Sequence, residues 1–220
     1  MSSHHIVRDD QEPALIIANG ASCSFELLGQ LLEWSPIVVV LDSAIERVLQ
    51  LDIKVDVLLG DFDRNFDAES YKNRHYPIEI IHTPNQNKTD LEKAFDYLIE
   101  KKHKAVNVVW ATGKRSDHTI SNITNIIKYR NQLKIVLLDD HSKIHLLPQK
   151  FEKWYPKQTP ISLIPIGEVY DITTKNLKYS LQNETLTLGY QSGNSNEVLE
   201  DGIVTIEHSK GDLLLMECFD

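Results

Sequence analysis

The chain has 220 residues and a net charge of −9, enough for one sizeable core or two small domains. The acidic balance excludes a general nucleic-acid or membrane-surface binder, which needs clustered lysine and arginine against phosphate. Cys23 and Cys218 lie near opposite ends without ligand spacing, which excludes a disulfide framework and a cysteine-rich zinc site and fits a cytoplasmic setting.

The first twelve residues, MSSHHIVRDDQE, are polar, and no apolar run in the chain is long enough to span a bilayer, so neither export nor anchoring is expected. His4 and His5 read as part of that polar terminus. From Ala14 onward, short apolar runs alternate with helical patterns: ALIIAN, IVVVLD, DVLLGD, IEIIHT, VNVVWAT and KIVLLDD. Their continuous apolarity predicts strands buried on both faces, as in parallel sheets covered by helices. The clearest helix follows TPNQNKTD, where Leu91, Ala94, Phe95, Leu98 and Ile99 form one apolar stripe. Thr89 with Glu92 three residues on is a capping-box pattern, and Lys101, Lys102 and Lys104 suit the helix's negative end. A second helix is predicted over SDHTISNITNIIKY, with Ile120, Ile123 and Ile127 on one face.

After LLPQKFEKWYPKQTP the texture changes. The runs ISLIPIG, NLKYSLQ, ETLTLGY, GIVTIEHS and DLLLMEC are short and partly alternating, with turn residues between them and no helical stripe. The expected architecture is an α/β domain over residues 1–147, a mostly parallel sheet with helices on both faces, then an antiparallel β-sandwich domain over 148–220, with the segment around 148–160 as a linker or crossover. There is no internal repeat or low-complexity tract.

In open α/β sheets a ligand binds beyond the carboxyl ends of the strands. Those ends carry Asp42, then Asp61 and Asp63 of GDFD, then QNKTD with Asp90, then WATGKRSDH with Lys114, Arg115 and Asp117. Clustered carboxylates repel one another unless a cation sits among them, and oxygen ligands alone select Mg²⁺ or Ca²⁺. Lys114 and Arg115, close to a glycine and a helix start, supply donors for phosphate oxygens. Singly, each piece has an ordinary reading: GDFD as a turn, Asp117 as a helix cap, Asp90 as a first-turn acid, GYQSGNSNEV as a hairpin loop, and Trp34, Trp110 and Trp154 as core or domain-interface residues. TGKRSDH is no P-loop, because it lacks the upstream glycine and has Arg after Lys.

Taken together and in this order, Asp42, GDFD, KTDLE, TGKRSDHT and the late SNEV resemble the thiamin pyrophosphokinase (thiamin diphosphokinase) family over most of the chain. The resemblance implies transfer of a pyrophosphoryl group from ATP to the hydroxyethyl oxygen of thiamin with Mg²⁺, giving thiamin diphosphate and AMP, in a homodimer whose β domain helps bind thiamin. It further implies Asp42, Asp61, Asp63, Asp90 and Asp117 around the metal and polyphosphate, with Arg115 neutralising charge. Thr112, Lys114 and His118, beside Asp42 and Arg115, fall at nucleotide-binding positions; Gln86, Asp90, Ser195 and Asn196 fall near thiamin. Asp90 is the candidate acceptor of the thiamin hydroxyl proton.

The chain departs from the family pattern at four places: DSAIE for DGGAN, GDFDR for GDFDS, Asn87 for the Asp of QDxTD, and WATGKR for GATGGR. Two other readings therefore stay open from sequence: a related diphosphokinase acting on another hydroxyalkyl heterocycle such as a pterin, and a nucleotide or thiamin diphosphate binding module without turnover.

Overall fold

The computed structural model describes residues 13–62, 67–74 and 77–219, which divide into two compact units, up to Asp139 and from Asp140. In the first unit the six apolar runs form β1 (Ala14–Ile17), β2 (Ile37–Leu41), β3 (Val57–Gly60), β4 (Glu79–His82), β5 (Ala105–Val109) and β6 (Lys134–Leu138). They pair in the order β4-β3-β2-β1-β5-β6, every pairing parallel. The β1, β2, β3 and β5 residues are almost wholly buried, as the unbroken apolar runs require. The strand order reverses direction at β1, so the β1 and β5 ends flank the crevice where such sheets hold ligands.

Helices α1 (Phe25–Leu32), α2 (Ile45–Leu49), α3 (Ala68–Arg74), α4 (Asp90–Glu100) and α5 (Ser116–Lys128) connect these strands, and a 3-10 turn, Asp42–Ala44, links β2 to α2. The predicted capping box is present on α4: the Thr89 hydroxyl accepts from Glu92 N–H and the Glu92 carboxylate from Thr89 N–H. Its stripe buries Leu91, Ala94, Phe95 and Leu98. The face expected for α5 is wrong. Ile120 is 64% exposed, and the buried positions are Asn122, Asn125 and Ile126, followed by Tyr129. Hydrogen bonds decide this: Asn122 donates to Ala111 O at 2.8 Å, and Tyr129 Oη reaches Glu92 O and Asp96.

The second unit is antiparallel β throughout its strands: β7 (Ser142–Leu146), β8 (Lys150–Tyr155), β9 (Pro160–Lys175), β10 (Glu184–Thr187), β11 (Gly193–Glu197), β12 (Gly202–Glu207) and β13 (Lys210–Cys218). β9 serves two sheets. Its first half pairs with β13 and β11 and its second half with β12 and β10; Gly167 lies between the halves and Asp171 at the irregularity opposite β10, both at positive φ. β7 extends the first sheet beyond β13 and β8 extends the second beyond β12. Leu163, Val169, Ile172, Leu186, Val204, Ile206, Leu213 and Leu215 fill the core.

Two expectations for this region need correction. Residues 148–160 are no linker, because they contain β8, paired along its length with β12. NLKYSLQ forms no strand beyond a single bridge from Leu177 to Val198, since Asn176 and Asn196 bind the backbone here and replace a regular ladder. Among the described residues no helix is long and apolar enough to cross a membrane.

Candidate active site

Three carboxylates expected at strand ends meet. Asp42, Asp61 and Asp90 each present an oxygen, and these oxygens lie within 4.8 Å of one another. Asp42 follows β2 directly, Asp61 follows β3, and Asp90 opens α4. Parallel pairing of β2 with β3 therefore brings the first two to one sheet edge.

Asp42 is 9% exposed and fixed by backbone donors: Ser43 N–H on Oδ1, and Phe62 N–H on Oδ2 at 3.1 Å. Phe62 reaches it from a left-handed conformation, φ 45°. Gly60 makes room, because a Cβ there would stand 2.1 Å from Asp42 Oδ2. Burial raises the Asp42 pKa above the ordinary carboxylate value, and the negative charges of Asp90 and Asp61 add to the rise against the two backbone bonds. Asp61 moves the other way, because Gln86 Nε2 donates to its Oδ2 at 2.9 Å, with Lys93 adding positive charge nearby. Lys93, whose side chain is 6% exposed, holds Asp90 Oδ1 at 2.9 Å.

This cluster opens on a cavity of about 460 Å³, lined among others by Asp61, Gln86 and Asp90 on the acidic side and by Lys114, Arg115 and His118 from the β5–α5 turn. The arrangement brings a carboxylate set and cationic donors to one pocket, as a metal-bound polyphosphate needs.

Not every expected residue joins the cluster. Asp117 is paired with Arg115, whose Nε donates to Oδ1 at 3.1 Å, and this fork holds the exposed carboxyl down at about 2. Thr112 turns its hydroxyl to Asp139, 2.6 Å away. Asp63 lies outside the described residues. In the second unit, Ser195 is exposed on β11 with φ 54°, whereas Asn196 is buried and spends its amide on Tyr179 and Glu197 backbone groups.

Sequence reasoning missed Asn19, Arg47, Lys88, Lys93 and Trp110. All but Arg47 line the cavity. Asn19 follows β1, so the strand-end rule that found Asp42 applies to it equally. Lys93 stands at i+3 from Asp90, a spacing that pairs opposite charges on a helix.

The oxygen-only donor set fits a hard divalent cation: three carboxylate oxygens converge, and glycine at position 60 leaves room for the Asp42 carboxylate among them.

Comparison with known proteins agrees with this organisation. Residues 28–137, within the first unit, match the family model described as thiamin pyrophosphokinase, catalytic domain. Residues 144–213, within the second, match the thiamin pyrophosphokinase, vitamin B1 binding domain. A thiamine pyrophosphokinase of Bacillus subtilis is 30% identical over 167 residues, 73% of this chain and 77% of that protein. Thiamine pyrophosphokinase 1 of Oryza sativa is 30% identical over 169 residues, 70% of this chain and 63% of its own. The crystal structure of the Bacillus subtilis thiamine pyrophosphokinase superposes with a TM-score of 0.80 at 26% identity, covering 95% of this chain and 100% of that one. Yeast thiamin pyrophosphokinase, at 18% identity, shares the fold with a TM-score of 0.80, covering 98% and 89%. The chain belongs to the thiamin pyrophosphokinase family.

Proposed function

We propose that this chain transfers the pyrophosphoryl group of ATP to the hydroxyethyl oxygen of thiamin, releasing AMP. One observation carries the reading: Asp42, Asp61 and Asp90 converge beside a cavity that Lys114, Arg115 and His118 also line, in a chain of this family. In the reaction the thiamin oxygen forms a bond to the β-phosphorus of ATP, the bond from that phosphorus to the α-phosphate oxygen breaks, and the hydroxyl proton passes to a base. Asp90 is the proposed base, steadied by Lys93. Asp42 and Asp61 are the carboxylates proposed to hold Mg²⁺ together with Asp90, and a cation there neutralises charge on the polyphosphate. Gln86 keeps Asp61 ionised and oriented; Lys114, Arg115 and His118 contribute donors to ATP. Asp117 acts in this reading by orienting Arg115.

The same reading includes a cytoplasmic homodimer whose second unit binds thiamin. The vitamin B1 binding description matched by residues 144–213 supports the thiamin-binding part of this reading. Ser195 is the ligand-side group proposed in that unit, and Asn196 ties β11, which carries it, to the Tyr179 backbone.

Incubation of the purified protein with ATP, Mg²⁺ and thiamin is expected to give thiamin diphosphate and AMP in equal amounts. Asp61→Asn should lower kcat by at least about a hundredfold at saturating Mg²⁺, the scale of losing one preorganised electrostatic group. A folded protein that forms neither product with thiamin, but converts a hydroxymethylpterin, would transfer the reading to that acceptor.

A further inference from the structure

The loop after β1, Asn19–Ser22, and the turn after β5, residues 110–114, lie side by side and both contribute to the cavity lining, through Asn19 and Gly20 and through Trp110, Ala111, Gly113 and Lys114. They are joined closely. Ala21 N–H donates to Thr112 O at 2.8 Å and Gly20 N–H to Trp110 O, while a Cβ on Gly20 would stand 2.3 Å from Thr112 O. Gly113, at φ 72°, leaves no space either, since its Cβ would meet Ala21 Cβ at 2.6 Å. Lys114 lies across the join, its Nζ 3.0 Å from Asn19 O and 3.4 Å from Asn19 Oδ1.

Trp110 is the unusual member. It is 1% exposed yet adopts φ 57°, a conformation that strains a bulky residue, and its Nε1 is buried without a hydrogen-bond partner. Something must hold the ring in place, and Arg47 of α2 does so. Its guanidinium carbon sits 4.3 Å from the Trp110 ring centre, while Nη1 donates to Asn19 Oδ1 and Gly20 O, both at 3.0 Å, and Nη2 to Ser22 Oγ. All three oxygens are uncharged, so these bonds do not themselves neutralise the positive charge of Arg47.

We propose that Arg47 is a positioning residue for the ATP polyphosphate: stacked on Trp110 and bonded to Asn19, Gly20 and Ser22, it locks the loop against which Lys114 is set. Arg47 stands outside the cavity lining and acts through that loop. The inference rests on the nucleotide reading of the cavity given above. It ties together two segments that depart from the family pattern, DSAIE beside Arg47 and WATGKR with Trp110 in the glycine position.

The test compares wild type with Arg47→Met, Arg47→Lys, Trp110→Leu and the double variant Arg47→Met/Trp110→Leu. Calorimetry with α,β-methylene ATP gives nucleotide affinity; steady-state kinetics give kcat and the KM of ATP and of thiamin. Arg47→Met should weaken the analogue and raise the KM of ATP by about tenfold, the scale of charge-assisted bonds. The kcat and the thiamin KM should stay within about twofold, because no atom of Arg47 meets the reacting groups. Arg47→Lys should not recover the loss, since an ammonium cannot reproduce the planar fork over an aromatic face. The double variant should lose no more ATP affinity than the worse single one, because both break the same clamp. Wild-type affinity in Arg47→Met overturns the proposal, as does a fall in kcat and in both substrate affinities that tracks lower melting temperature. If wild type binds the analogue but makes no thiamin diphosphate, the acceptor reading fails and the clamp still stands on the binding data. If wild type binds no analogue, both fail.

Discussion

Asp42 and Gly60 depend on each other in a way that makes each residue's identity a prediction. The buried carboxylate occupies the space a Cβ at position 60 would fill, 2.1 Å away, so Gly60→Ala must move Asp42 off the Phe62 and Ser43 amides or shift the end of β3. The expected result is a fall of about tenfold or more in Mn²⁺ affinity, read by electron paramagnetic resonance, with the fold retained by circular dichroism. Unchanged affinity would show that Asp42 is not a ligand. At this scale the acidic set was legible because strand ends advertise it: GDFD and VVVLD place their carboxylates beyond buried apolar runs. Arg47 and Trp110 were not legible. Their contact joins α2 to the turn after β5, segments far apart in the chain, and nothing in the local pattern of either one encodes it.

Among elements, α4 shows what local sequence can specify. Its apolar stripe, its capping box and Asp90 at its first position all belong to one short segment, and the structure contains each of them. Because the Thr89 cap fixes the turn that presents Asp90, Thr89→Ala should cost about 1 kcal/mol in denaturant unfolding. The same variant should reduce kcat, as Asp90 and its Lys93 partner lose a fixed helix start. A stability loss with kcat unchanged would separate the cap from the site. α5 shows the limit of the same method. Its isoleucines align as well as the α4 stripe, but Asn122 and Tyr129 satisfy buried carbonyls at Ala111 and Glu92, and that requirement turns the opposite face inward. Periodicity measures apolar content and cannot register where a neighbouring element leaves a backbone oxygen in need of a donor. β8 was missed for a related reason: KFEKWY alternates charge with aromatic residues beside prolines, which resembles a solvated connection, although it pairs fully with β12.

At the scale of the molecule, the division into a parallel α/β unit and an antiparallel β unit was legible from the change between continuous and alternating apolar runs. The device that closes the second unit was not, because it is charged. The side chain of Glu217 of β13 is 7% exposed and accepts from Lys153 of β8 at 2.8 Å and 2.9 Å, with His145 at 3.5 Å and Lys143 at 3.9 Å on the neighbouring β7. β13 and β8 belong to different sheets of this unit, so the Lys153 bond ties one sheet to the other. Burial pushes the Glu217 carboxyl up, but His145, Lys143 and Lys153 outweigh it and hold the group at about 2, against 4.5 when free. The sign follows from proton uptake. Above about pH 4.5 the carboxylate is ionised in folded and unfolded chains alike and its contribution is complete; as pH falls from there toward 2, the unfolded chain binds the proton first and the contribution is lost. Glu217→Gln leaves buried ammonium charge without its anion, so it should destabilise the protein by about 3–5 kcal/mol at neutral pH. The variant should also lose less stability than wild type on acidification below about pH 4.5, because its side chain no longer titrates. Thermal unfolding of both proteins across that range checks the two expectations together: parallel pH profiles would remove Glu217 as the source of acid lability, and equal stability at neutral pH would show that its buried charge does not hold the sheets together.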